Sequence, residues 1–309
     1  MREWIRKNKL QAALSGVVVA GVGISAAVSG LSATPSFYSY GYSAGGTAVP
    51  PPSTTNAAYR MVAADGGIFT FGKASFQGST GNMILNKPIV GGVDTPSMGA
   101  YSAGGGYWLT ASDGGVFAFG NAHYYGSMGG IHLNKPVVGI AATQNGGGYW
   151  LAASDGGVFS FGNAHFYGSM GGSHLNSPIV GIAADPATGG YWEVAANGGV
   201  FSFNAPYYGS MSGSHLNAPV VGMAAAPNGK GYWLVAADGG VFNFGSAGFD
   251  GSMGGSNLNK PVVGIYPTPN GGGYWEVAAD GGIFSFGNAP FVGSMGGSHL
   301  NKPVVGMFD

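Results

Sequence analysis

Four histidines and five aspartates recur at matching places in this chain, and they are the first residues whose type and spacing suggest chemistry. His132, His174, His215 and His299 each precede Leu-Asn in a glycine-rich segment, with Ile84 and Asn257 at the two other copies. Asp65, Asp113, Asp155, Asp238 and Asp280, with Asn197 in the same role, each precede Gly-Gly. Imidazoles and carboxylates around one mouth are the donor types that bind a metal or a polar ligand. Against this, Asp before Gly in a hairpin is selected for backbone geometry, and a repeated His in a loop suits a hydrogen bond to a neighbouring unit. Copies in adjacent units also lie more than about 10 Å apart, by the spacing of packed sheets, so one metal would not collect three of them. The loop-face set Asp113, His132, Asp155, His174, His215, Asp238, Asp280 and His299 is therefore a ligand-binding candidate, with no metal and no other cofactor assigned.

No catalytic residue emerges beside it. Glu193 and Glu276 replace Leu in the string Tyr-Trp-(Leu/Glu)-Val-Ala. Paired carboxylates hydrolyse glycosidic bonds only within about 5 to 10 Å of each other, and a whole repeat separates these two, so they read as a solvated strand face. Gly126-Ser127-Met128-Gly129 and its copies lack the Gly-x-Ser-x-Gly spacing of a nucleophile elbow. With no Cys in the chain, disulfides, thiolate ligands and Cys nucleophiles are excluded.

The elements that position these residues follow from composition and periodicity. Gly contributes 62 of 309 residues and aromatics 13%, while Asp, Glu, Lys and Arg together reach 7%. Such a chain is poor in helix formers and too apolar for disorder. Beyond the N-terminus the basic residues are Arg60, Lys73, Lys87, Lys135, Lys230, Lys260 and Lys302, too dispersed to track nucleic acid. The turn, Asp-Gly-Gly in five copies and Asn-Gly-Gly in one, recurs at intervals of about 42 residues, a period typical of solenoids and propellers.

Each repeat breaks into four strand-like runs. In the third they are Pro136 to Ala141, Tyr149 to Ala153, Val158 to Phe161 and His165 to Ser169, bounded by Gly, Asn and Pro. Asp-Gly-Gly between the second and third runs predicts a hairpin with a primed turn. In Tyr107-Trp108, Tyr149-Trp150, Tyr191-Trp192, Tyr232-Trp233 and Tyr274-Trp275, alternation along a strand predicts one ring between units and one exposed for stacking on a sugar. Four antiparallel strands per unit make an all-β, six-bladed β-propeller of four-stranded blades over residues 57–309. The first unit begins at Ala58 with a second strand, and Pro303 to Asp309 is a first strand with no unit to follow. The C-terminal strand is thus expected to complete the first blade and close the ring, leaving no free edge. The loop from Asp94 to Gly105 is enlarged in the second unit, and the fourth unit drops a residue near Asn204.

Arg2, Arg6, Lys7 and Lys9 precede an uncharged stretch from Leu10 to Ala33. This is a signal peptide over residues 1–33, or an uncleaved anchor with membrane contact through residues 10–33. Residues 34–56, with Pro50-Pro51-Pro52, read as a semi-rigid linker. The strings at 231–245 (Gly-Tyr-Trp-Leu-Val-Ala-Ala-Asp-Gly-Gly-Val-Phe-Asn-Phe-Gly) and 259–265 (Asn-Lys-Pro-Val-Val-Gly-Ile) resemble the tandem repeat of many exported actinobacterial proteins. There the repeat is often appended to cell-wall or ester hydrolases and is sometimes carried alone. The resemblance implies a secreted or cell-surface protein and lends this chain no catalytic label.

The expectation is a non-catalytic binding or structural module that recognises a cell-surface glycan, wall polymer or protein. Two alternatives stand beside it: a membrane-anchored subunit of an envelope complex, and a hydrolase with its site in the channel.

Overall fold

A computed structural model describes residues 57–96 and 105–309. The export segment, the linker and most of the enlarged 94–105 loop lie outside the described residues. Among those residues the protein is all-β, with eighteen strands in six antiparallel sheets of three strands each. In chain order the strands are β1 (Ala58–Ala63), β2 (Ile68–Gly72), β3 (Ile89–Asp94), β4 (Gly106–Ala111), β5 (Val116–Gly120), β6 (Val137–Ala142), β7 (Gly148–Ala153), β8 (Val158–Gly162) and β9 (Ile179–Ala184). They continue with β10 (Tyr191–Ala195), β11 (Val200–Phe203), β12 (Val220–Ala225), β13 (Gly231–Ala236), β14 (Val241–Gly245), β15 (Val262–Pro267), β16 (Gly273–Ala278), β17 (Ile283–Gly287) and β18 (Val304–Phe308).

Sheet I has the order β18-β1-β2, and sheets II to VI are the successive triplets from β3-β4-β5 to β15-β16-β17. The strand from the end of the chain supplies the first strand of the first sheet, as the offset repeat predicts. Arg60 pairs Phe308 and Met61 pairs Met307, just as Trp108 pairs Val93 and Leu109 pairs Gly92 in sheet II. The backbone N–H of Ala64 donates to Pro303 O at 2.9 Å, as Ser112 N–H donates to Pro88 O at 2.9 Å. Contacts between first strands run β3, β6, β9, β12, β15, β18 and back to β3.

Neighbouring sheets are also laced by backbone bonds, since Val137 N–H of sheet III donates to Ser112 O in the turn of sheet II at 2.9 Å. The hairpin turn differs from the expected primed type. Gly114 N–H donates to Ala111 O and Ala111 N–H to Gly115 O, both at 2.9 Å, and Gly114 alone takes the left-handed φ of +80°. Asp113 is spared positive φ because the loop has three residues, a form in which one left-handed glycine turns the chain.

The fourth run of each repeat is not a strand. Its glycine is the reason: Gly126 has φ +132° and Gly168 φ +127°, a conformation that breaks a β ladder and that side-chain-bearing residues rarely adopt. A Cβ on Gly126 would also sit 2.7 Å from Phe161 Cδ1 of the next sheet. The run's backbone is instead satisfied by side chains. Trp150 Nε1–H donates to His165 O at 2.8 Å, while Tyr191 OH accepts from Tyr167 N at 3.2 Å and donates to Gly168 O at 2.6 Å.

Candidate functional site

The turn carboxylates are half-buried and engaged with their own backbone. Oδ1 of Asp113, Asp155, Asp238 and Asp280 accepts from the N–H two residues on at 3.0–3.1 Å, and Asn197 Oδ1 does the same at 3.0 Å. This is an Asx turn, so one oxygen of each carboxylate is committed to shape. His132, His174, His215 and His299 are exposed on the linkers. Among the described residues no group of three or more His, Asp or Glu side chains is placed to hold a metal ion. Beside Asp113 the structure forms a cleft of about 260 Å³ lined by Met83, Ile84 and Phe117, with no histidine. Ser127 Oγ accepts from Gly129 N at 3.3 Å and so stabilises a turn.

The Tyr-Trp doublets correct the expectation of an exposed ring. Tyr107, Tyr149, Tyr191, Tyr232 and Tyr274 are fully buried, and their Trp partners are at most 3% exposed. Each Trp packs on the Tyr of the next sheet, Trp108 on Tyr149 and Trp192 on Tyr232 both at 5.3 Å. Each ring also spends its polar atom on a fourth run. The indole N–H groups donate to His123, His165, Pro206, Gly248 and Pro290 carbonyls at 2.6–2.9 Å.

The residue after each pinned carbonyl is the feature that alternation along strands conceals. Phe76, Tyr124, Phe166, Tyr207 and Phe249 occupy that place in five sheets and are 52–59% exposed; in the sixth, Phe291 is half-buried. The following N–H is held by the buried tyrosine of the next sheet, with Tyr125 N bonding Tyr149 OH, Tyr208 N bonding Tyr232 OH and Asp250 N bonding Tyr274 OH at 3.1–3.2 Å. An exposed aromatic thus stands between two backbone groups fixed by the core. A signal for it existed in the sequence, since an aromatic follows His123, His165 and Pro206 at one repeat position.

Glu193 in β10 and Glu276 in β16 are fully buried, not solvated. They occupy the place of Leu109, Leu151 and Leu234, which are also fully buried, because the middle strand is covered on both faces. Neither oxygen of either carboxylate has a hydrogen-bond partner. Desolvation pushes each carboxyl up to about 8; the Met170 or Met253 amide opposes this without reaching hydrogen-bond geometry, and Asp155 or Asp238 adds to it.

A further departure from the repeat lies where β18 meets β1. Arg60 stands at the Trp position, 1% exposed. Its Nε–H donates to Ser75 O at 3.0 Å, its guanidinium lies 5.3 Å from the Tyr107 ring, and it pairs with Asp94 Oδ1 at 2.9 Å. Asp309 faces the same charge, and burial raises both carboxyls above the ordinary range, Asp94 furthest. Asp94 Oδ2 and Asp309 Oδ1 are shut off from solvent without a partner.

No helix among the described residues is long and apolar enough to cross a membrane. Compared with protein-family models the chain matches none, and no match to a curated protein was found.

Proposed function

We propose that residues 57–309 form a six-bladed β-propeller acting as a non-catalytic, extracytoplasmic binding module, and that its ligand is a neutral glycan or wall polymer. The cyclic succession of first-strand contacts supports the propeller reading, with the fourth run of each blade held by side chains in place of a ladder. The observation that carries the ligand reading is the repeated exposed aromatic: Phe76, Tyr124, Phe166, Tyr207 and Phe249, in five of the six repeats.

An aromatic face gives a sugar ring an apolar platform, and a tyrosine adds a hydroxyl at its edge. Pinning on both sides removes much of the ordering cost that binding normally incurs. Repetition suits a polymer, because each weak contact raises the effective concentration for the next. Low charge favours a neutral ligand over an anionic one. The hydrolase reading is left with Glu193 and Glu276, which are buried in different sheets. Export rests on the N-terminal basic and apolar segments.

Retention of the protein on insoluble cell-wall polysaccharide, alongside a glycan array, tests the reading. Phe166→Ala should weaken binding modestly, and the triple change of Tyr124, Phe166 and Tyr207 to Ala should abolish it. Failure of the native protein to bind any glycan, or equal binding by the triple variant, would overturn the proposal; capture of a protein in place of glycan would do the same.

A further inference from the structure

Two of the five turn aspartates are not like the others. Glu193 lies on the sheet that follows the turn of Asp155, and Glu276 on the sheet that follows the turn of Asp238; in each case the aspartate's charge raises the glutamate carboxyl further. The carboxylate of Glu276 reaches the turn itself, for a Cβ built on Gly239 would lie 2.9 Å from Oε2. At three of the remaining junctions an apolar side chain fills the same place against the preceding linker methionine. Met61 clusters with Met295, Leu151 with Met128 and Leu234 with Met211. Acidic pairs therefore occur where Leu would have served packing.

We propose that each pair binds a hard divalent cation, calcium in the first instance, giving two sites per chain: Glu193 with Asp155, and Glu276 with Asp238. A buried ionised carboxylate needs a charge partner or hydrogen bonds, and the four glutamate oxygens have neither. Protonation of the glutamate alone leaves the neighbouring aspartate charged. A cation neutralises both acids at once. Each aspartate has one oxygen bound to its own turn, Asp155 Oδ1 to Gly157 N at 3.1 Å and Asp238 Oδ1 to Gly240 N at 3.0 Å, and the second oxygen remains for a ligand. Carboxylates alone select calcium or magnesium over zinc, and calcium tolerates an irregular site completed by carbonyls and water. Because the two partners of each pair belong to different sheets, the ion would also tie adjacent sheets together.

Calorimetric titration of the full chain with calcium chloride at pH 8, after chelator treatment, tests this. The native protein should take up two ions, Glu193→Leu and Glu276→Leu one each, and the double variant none. Calcium should raise the thermal midpoint of the native protein and leave that of the double variant unmoved. Leucine at 109, 151 and 234 shows that the place accepts it; Glu193→Gln, closer in shape, must lose the same ion, and circular dichroism of each variant confirms the fold. No uptake by the native protein, retention of two ions by the double variant, or single variants that each still bind two would overturn the proposal.

Discussion

The junction between β18, β1 and β3 offers a test in which two changes restore the repeat. Arg60 reproduces both contacts of a tryptophan. Its Nε bonds the carbonyl fifteen residues on, as Trp108 Nε1 bonds His123 O, and its guanidinium sits 5.3 Å from Tyr107 as the Trp108 ring sits 5.3 Å from Tyr149. What the arginine adds is a positive charge, answered at 2.9 Å by Asp94 where the equivalent first-strand residues are Ala142, Ala184 and Ala225. Removing one member of a buried pair typically costs about 3–5 kcal/mol, because the other charge is left uncompensated. Asp94→Ala should therefore lower stability by up to about that much, less what Asp309 still offers the guanidinium, out of the roughly 5–15 kcal/mol that ordinarily holds a domain. Arg60→Trp should cost less at neutral pH, since Asp94, already raised by burial, escapes by taking up a proton.

The double variant Arg60→Trp with Asp94→Ala returns both positions to residues used elsewhere, and Asp309, its carboxyl already raised by burial, takes up a proton once the positive charge is gone. It should lie within about 1 kcal/mol of the native protein or above it, since apolar replacement of a buried pair is often neutral or stabilising. Urea unfolding followed by far-ultraviolet circular dichroism measures all four proteins, with equal slopes required for comparison. The reasoning fails if Asp94→Ala costs under about 1 kcal/mol, or if the double variant is as unstable as the worse single one.

Three further outcomes follow from the same contacts. Tyr191→Phe removes the hydroxyl shared by Tyr167 N and Gly168 O and should cost about 1–3 kcal/mol, with faster proteolysis confined to the fourth run of that repeat. Burial pushes the hydroxyls of Tyr59, Tyr149, Tyr232 and Tyr274 up to about 12. The unfolded chain releases these protons near pH 10, so their contribution is complete below about 10 and lost as pH rises towards 12; absorbance at 295 nm should show these four ionising together in a cooperative step coincident with unfolding. Deleting residues 303–309 removes β18, and the exposed edge of β1 should drive unfolding or association; a monomer of unchanged stability by light scattering and melting would contradict the pairing.

The repeat is legible in the sequence where the signal is local. Val137 to Ala141, Tyr149 to Ala153 and Val158 to Phe161 fall inside β6, β7 and β8, because β-branched and aromatic runs end at Gly, Asn or Pro. The offset of the first and last units also placed β18 beside β1. The fourth run misled because His-Phe-Tyr-Gly-Ser has strand composition, whereas its conformation is set by one glycine at φ +127° and by hydrogen bonds from Tyr191 and Trp150. Nothing in a single unit announces a partner that belongs to the next.

The exposed ring expected in the Tyr-Trp doublet and the solvated glutamates share one further cause. Alternation separates inside from outside only when one face of a strand meets water. Strands β1, β4, β7, β10, β13 and β16 are buried at every residue, so a side chain on either face lies in the core and the period of two carries no information about exposure. It follows that polar residues on these strands are the informative ones. A leucine there repeats the architecture, whereas Arg60, Glu193 and Glu276 each place a charge where none is needed for folding. Arg60 has its counter-charge within the chain, whereas the two glutamate carboxyls have no hydrogen-bond partner, and that is the reason to look for an ion at those two junctions.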